Sequence, residues 1–152
     1  MAESMTEVAF HFNVAQTLPY ACRLLRKAVN AGSRVLVVGE GHMLQALDRD
    51  LWTFLPLEFV AHCRAGAAPE LLAASPVVLA ESAANPRVRD LHQQVLLNLG
   101  ASVPEGFDRY QRLIEIVSYD EADRLAARDR WKYYTGAGFS MTRHDLAAHA
   151  GG

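Results

Sequence analysis

The sequence predicts an α/β protein with a Rossmann-like three-layer arrangement, in which helices cover both faces of a mostly parallel sheet. Three observations predict it. Short continuous apolar runs recur along the chain, the clearest being RVLVV at residues 34–38, and such runs suit strands buried on both faces. Segments with helical spacing separate the runs. A first strand, a helix of about 15 residues and a second buried strand then make one βαβ unit.

Taken in order, residues 8–12 read as the first strand, followed by Thr17, Leu18 and Pro19, where Thr can cap a helix and Pro can occupy an early helical position. Leu18, Ala21, Leu24, Leu25, Ala28 and Val29 hold a helical stripe until Gly32 stops it. The second strand is the 34–38 run. Residues 42–54 return to helical spacing through Leu44, Leu47 and Leu51, and residues 59–62 read as a short strand after Pro56. Three further apolar runs, 76–80, 94–99 and 113–117, read as strands, separated by Asn85-Pro86 and by the turn-rich 102–106 segment. No repeat or second-domain boundary interrupts residues 1–141, which read as a single domain. Residues 142–152 are expected to fray.

The most informative segment is SYDEADRLAARDRWKYYTGAGF, residues 118–139. Ser118 and Glu121 fit a capping box, and Gly136 and Gly138 supply a stop. At 100° per residue Arg124, Arg128 and Trp131 fall on one stripe, expected to face outward. Ala122, Leu125, Ala126 and Tyr133 fall on another, expected to face the core. Between Arg124 and Arg143 there are five Arg or Lys against Asp129 alone, a balance of +4 in a chain whose net charge is -2. A solvated face stitched by pairs such as Asp120 with Arg124 would account for the charge. An outward Trp between arginines points instead to a surface that receives something acidic.

Composition narrows the classes. Cys22 and Cys63 lack a C-x-x-C spacing and are too few for a disulfide framework, so both read as small buried hydrophobes in a reducing compartment. The N-terminus has an early acid and no continuous apolar core of signal-peptide type, and no run is long and apolar enough to span a bilayer; a soluble cytoplasmic protein with no membrane contact is expected. A pI of ≈ 6.3 does not mark a general nucleic-acid binder. The six histidines show no H-x-H, H-E-x-x-H or Cys/His metal spacing, and no G-x-S-x-G surrounds a serine. His62 and Cys63 are adjacent on a strand, so their side chains are expected on opposite faces.

Gly39-Glu40-Gly41 invites a dinucleotide-binding reading, but position 44 is Leu where the fingerprint needs its third glycine, and the motif follows the second strand of the unit. The fold is therefore expected to lack a phosphate-binding glycine loop, with no cofactor, metal or catalytic residue assigned. A nucleotide-binding α/β enzyme using residues 39–41 is the alternative. Direct binding of single-stranded DNA through Arg124, Arg128, Arg130 and Trp131 is a third reading.

Taken together, several segments resemble the chi subunit family of bacterial DNA polymerase III holoenzyme. They are GSRVLV at 32–37, Leu47-Asp48 with LWTF at 51–54, FVAH at 59–62, Pro76-Val77, EIVSY at 115–119, RLAARDRWKYY at 124–134 and Gly138-Phe139. The resemblance implies a non-catalytic accessory subunit of the replicative polymerase. Such a subunit links the clamp loader to single-stranded DNA-binding protein by holding that protein's acidic C-terminal tail, an Asp-rich segment ending in Phe and a free carboxylate. DNA is contacted only indirectly. The resemblance also implies a psi subunit as the link to the clamp loader, bound at a separate surface.

In the family the tail sits where the last helix meets the strand before it, which points here to Val117, Arg124, Arg128 and Trp131, with Lys132 at the rim and Trp52 as a neighbour. Arg128 would grip the terminal carboxylate with two parallel hydrogen bonds. Val117 and Trp131 would hold the Phe, and Arg124 with Lys132 would attract the aspartates. The family often has Tyr at the position of Trp131, Lys at that of Arg124 and Pro at that of Ser118; the first two exchanges keep ring and charge.

Overall fold

The computed structural model describes residues 5–53 and 60–147. Among these, seven strands form one sheet: β1 (Glu7–Val14), β2 (Val35–Val38), β3 (His62–Arg64), β4 (Val77–Ala80), β5 (Val95–Asn98), β6 (Arg112–Ser118) and β7 (Ser140–Asp145). Their order is β3-β4-β2-β5-β6-β1-β7, and every neighbouring pair is parallel. The helices are α1 (Thr17–Asn30), α2 (Gly41–Thr53), α3 (Pro69–Ala74) and α4 (Glu121–Gly136).

The two-residue period of a strand sorts the core into two layers. Val35 and Val37 of β2 pack with Leu25 of α1 and Leu44, Leu47 and Leu51 of α2, whereas Leu36 and Val38 pack with Leu72 of α3 and Ala127 and Tyr134 of α4. Burial on both faces is why β2 and β4 are apolar at every position. The β-branched and Leu runs thus became strands, and Val95–Asn98, where a short apolar run fits a buried helix equally well, is a strand between β2 and β6. Gly32 ends α1 at φ +85°, a conformation that costs an L side chain about 1 kcal/mol or more. Cys22 and Cys63 are free and buried, and burial pushes the Cys22 thiol up to about 11, so it stays protonated and unreactive.

Four readings are corrected. Thr142 to Asp145, expected in a fraying tail, belong to β7, which pairs along β1 from Glu7↔Ser140 to Phe12↔Asp145. The strand expected at 59–62 starts at His62; Phe59, like Phe54 and Pro56, lies outside the described residues. The helix cap of α4 is displaced from the expected Ser118 and Glu121: Asp120 is the N-cap and accepts from the Asp123 amide, while the Asp123 carboxylate accepts from the amide and hydroxyl of Ser118 at 2.8 and 2.9 Å. The arrangement is not a reciprocal box, since the Asp120 amide donates to Ser118 Oγ at 3.2 Å and not to Asp123.

The buried face of α4 is also not the one expected. Leu125 and Tyr133 are 51% and 54% exposed, and the core stripe is Ala127, Arg130 and Tyr134, with Trp131 half-buried beside it. That stripe has the i, i+3, i+4, i+7 spacing of a packed helix, with a charged residue in its middle.

Candidate functional site

The charge in the stripe is neutralised from the sheet. Arg130 Nε donates to Glu115 Oε1 at 3.0 Å, and the two side chains are 3% and 0% exposed. Tyr134 donates its hydroxyl to Glu115 Oε2 at 2.6 Å, Asn98 Nδ2 donates to the same carboxylate, and Arg130 reaches the Ala101 carbonyl at 2.9 Å. Burial pushes the Glu115 carboxyl upward, with Arg130 and the hydrogen bonds from Tyr134, Asn98 and Arg130 acting against it. The Tyr134 hydroxyl is pushed up by burial and then by the neighbouring carboxylate. Arg130 is thereby committed to the core, which removes it from any stacking platform for single-stranded DNA.

On the flank of α4 beside this buried pair lies a cleft of ≈ 360 Å³. Its walls come from four elements: Phe10, Phe12 and Asn13 of β1, Val117 and Ser118 of β6, Arg124, Ala127, Arg128 and Trp131 of α4, and Arg143 of β7. β1 and β6 are adjacent parallel strands whose following helices pack on opposite faces of the sheet, so their carboxyl ends open a crevice, the usual ligand position in such sheets. At its rim β1 is irregular: its register with β6 shifts between His11 and Val14, and Asn13 has φ 59°, a left-handed conformation that Asn tolerates better than most residues. Asn13 Nδ2 donates to Asp145 Oδ1 at 2.8 Å, tying the end of β1 to β7.

The floor is aromatic. The Trp131 ring meets Phe10 edge-to-face with centroids 5.1 Å apart, so Trp131 forms a wall and does not project into solvent as expected from its stripe. The Arg143 guanidinium stands 5.2 Å from the Phe12 ring centre and 5.8 Å from that of Trp131, within cation–π range of both. Arg124 and Arg128 are exposed one turn apart, and among the described residues neither makes an ion pair. The expected Asp120–Arg124 pair is absent from that set, since Asp120 is used as the cap. The lining contains three guanidinium groups and no carboxylate. Such a surface can take an anion that also carries an apolar group.

The structure therefore brings together Val117, Arg124, Arg128 and Trp131. It does not bring in Lys132, which is exposed but outside the lining, or Trp52, whose ring lies edge-on to His62 of β3 at the opposite side of the sheet. Phe10, Phe12, Asn13 and Arg143 escaped sequence reasoning. The i, i+2 spacing of Phe10 and Phe12 was a signal that they share one face, but the pairing of β1 with β6 was needed to place them.

Two other features weigh less. A larger groove of ≈ 700 Å³ lies between α1 and the opposite face of the sheet, but much of its polar rim is engaged internally, His11 with Tyr20 at 2.5 Å and Arg112 with Glu7 at 3.3 Å. At the Gly39-Glu40-Gly41 turn, a Cβ on Gly39 would sit 3.2 Å from Leu99 Cβ and one on Gly41 would sit 3.5 Å from the Glu81 carboxylate. Close packing accounts for Gly39, and a carboxylate beside Gly41 opposes a phosphate there. As expected, His62 and Cys63 face apart: His62 Nε2 bonds Asp48 of α2 at 2.8 Å, and Cys63 packs in the α3–α4 layer. Among the described residues no helix is long and apolar enough to cross a membrane.

The family model described as DNA polymerase III chi subunit, HolC, matches residues 5–142, which takes in every wall of the cleft except Arg143. The chain belongs to the DNA polymerase III chi subunit family. It is 32% identical over 149 residues to the DNA polymerase III subunit chi of Pseudomonas aeruginosa, covering 93% of this chain and 98% of the relative. It is 30% identical to the subunit chi of Haemophilus influenzae, covering 83% and 85% of the two chains, and 28% identical to that of Escherichia coli K12, covering 79% of each. The family is one of accessory subunits of the replicative DNA polymerase.

Proposed function

We propose that this chi-family chain connects the clamp loader to single-stranded DNA-binding protein by holding the acidic C-terminal tail of that protein in the cleft between β1, β6 and α4. The observation that carries this reading is a lining with three guanidinium groups, no carboxylate and an aromatic floor. A tail that is Asp-rich and ends in Phe with a free carboxylate complements all three features. Val117, Phe10 and Trp131 hold the Phe ring, Arg128 grips the terminal carboxylate through two parallel hydrogen bonds, and Arg124 attracts the aspartates. Lys132 contributes to the field at longer range, and Trp52 takes no part. The link to the clamp loader runs through a psi subunit bound at a separate surface.

Fluorescence anisotropy of a labelled peptide carrying the tail tests the reading. Saturable binding that weakens with salt is expected, because exposed charge pairs are screened within about 8 Å at physiological ionic strength. Arg128→Ala should weaken it by tenfold or more, as a charge-assisted hydrogen bond contributes about 1.5–3 kcal/mol. Saturable binding unaffected by Arg128→Ala would overturn the site, and no binding by wild type would overturn the function.

A further inference from the structure

The two arginines assigned to the tail both stand on α4, yet the cleft has a third guanidinium on a different wall. Arg143 lies on β7, the edge strand beyond β1, and its Cζ is 5.2 Å from the Phe12 ring centre and 5.8 Å from the Trp131 ring centre. A guanidinium drawn to aromatic rings by cation–π attraction spends none of its N–H donors on a lone-pair acceptor there. Arg143 is exposed, and among the described residues it makes no ion pair, so these donors are available. The strand that carries it is fixed, by its ladder with β1 and by the Asn13 bond to Asp145.

From this geometry we propose that Arg143 is a specificity-determining residue of the cleft, which binds the side-chain carboxylates preceding the tail's terminal Phe from the β7 side. The inference rests on the tail-binding reading. A single bidentate guanidinium satisfies a terminal carboxylate, so a cation across the cleft from Arg124 and Arg128 is left for the remaining negative groups, which in this tail are Asp side chains. A tail lying over Trp131 and Phe12 then has guanidinium groups on both sides, and its acidic segment is selected over a neutral one. The aromatic faces hold Arg143 in place before the tail arrives, which lowers the ordering cost of binding.

The test is a cycle of protein and peptide variants read by anisotropy: wild type, Arg143→Ala and Arg143→Lys against the tail peptide, the same peptide with Asp replaced by Asn, and the same peptide with a C-terminal amide. Arg143→Ala is expected to weaken the acidic peptide by about three- to tenfold, the range of a well-placed, partly exposed ion pair. It should leave the Asn peptide bound as wild type binds it. The amide should lose the same factor with wild type and with Arg143→Ala, whereas Arg128→Ala should be insensitive to the amide. Arg143→Lys keeps the charge without the bidentate fork and should recover part of the loss. An unchanged melting temperature shows that the edge strand is intact; an unfolded Arg143→Ala is replaced by Arg143→Gln. Arg143 variants that bind the acidic peptide like wild type would overturn the inference and leave the adaptor reading standing, as would a loss that persists with the Asn peptide. A wild type that binds no tail peptide would overturn both.

Discussion

Two arginines separated by one residue on α4 meet opposite environments. Arg130 points under the helix, 2% exposed, into a carboxylate that is itself 0% exposed and accepts from Arg130, Tyr134 and Asn98. Arg128, two steps of 100° away, lines an open cleft and has no ion-pair partner among the described residues. The underside of the helix uses a guanidinium to satisfy a buried charge, and the flank leaves guanidinium groups without an ion-pair partner among the described residues. Local charge density does not distinguish these two uses; the angle around the helix does.

The largest expected effect is on the underside. Removing one member of a buried pair leaves the other uncompensated at a cost of about 3–5 kcal/mol, so Glu115→Gln or Arg130→Met should lower the chemical-denaturation midpoint sharply. Glu115→Leu combined with Arg130→Met should recover only part of that loss, because the apolar pair carries no ionic desolvation penalty but leaves the buried Tyr134 hydroxyl and Asn98 amide without their Glu115 acceptor. The folded fraction should hold the tail peptide as wild type does. Arg130→Met that keeps stability but loses the tail would break the comparison and put Arg130 in the cleft.

A smaller effect separates the regions by pH. His11 is held down to about 4 by burial, then by His144, Arg112 and Lys27, and His92 is held down to about 4 by burial and Arg34. Both are neutral in the folded state, whereas the unfolded chain takes up their protons near 6.5. Their contribution to stability is complete above about 6.5 and is lost progressively as the pH falls towards 4. The melting temperature should therefore drop between pH 7 and 5, and His11→Gln should flatten part of that drop. Tail affinity should stay level over the same interval, because guanidinium groups and Asp side chains do not titrate there. A parallel fall in affinity of the folded protein would show that the cleft contains a titrating group.

The parts of this molecule that were legible in sequence are those whose partners are local or whose burial is two-sided. RVLVV needed no knowledge of its neighbours to read as a buried strand, since both faces had to be apolar. β7 was illegible for the opposite reason: SMTRHD is a largely exposed edge strand, with no apolar run and no strict alternation. α3 is too short, at six residues, to display a helical period. The core stripe of α4 was misread because Arg130 counts as surface unless Glu115, on β6, is known to face it. In the cleft, Arg124, Arg128 and Trp131 were visible as one stripe, whereas Phe10, Phe12 and Arg143 reach it only through the pairing of β1 with β6 and β7.

The smallest expected effect concerns the opposite edge of the sheet. Trp52, in the last turn of α2, is 59% exposed and meets the His62 ring edge-on with centroids 5.3 Å apart. His62 belongs to β3, and β4, β2 and β5 lie between β3 and β6. At about 4.8 Å per strand this places Trp52 ~19 Å from the nearest strand of the cleft, well past the 7–10 Å beyond which substitutions usually act independently. Trp52→Ala should therefore leave tail affinity within about twofold of wild type in the same anisotropy assay. A larger loss would require the tail to continue from the cleft across the three intervening strands to the end of α2. In that case the acidic segment, and not the terminal Phe, would set the length of the docking surface.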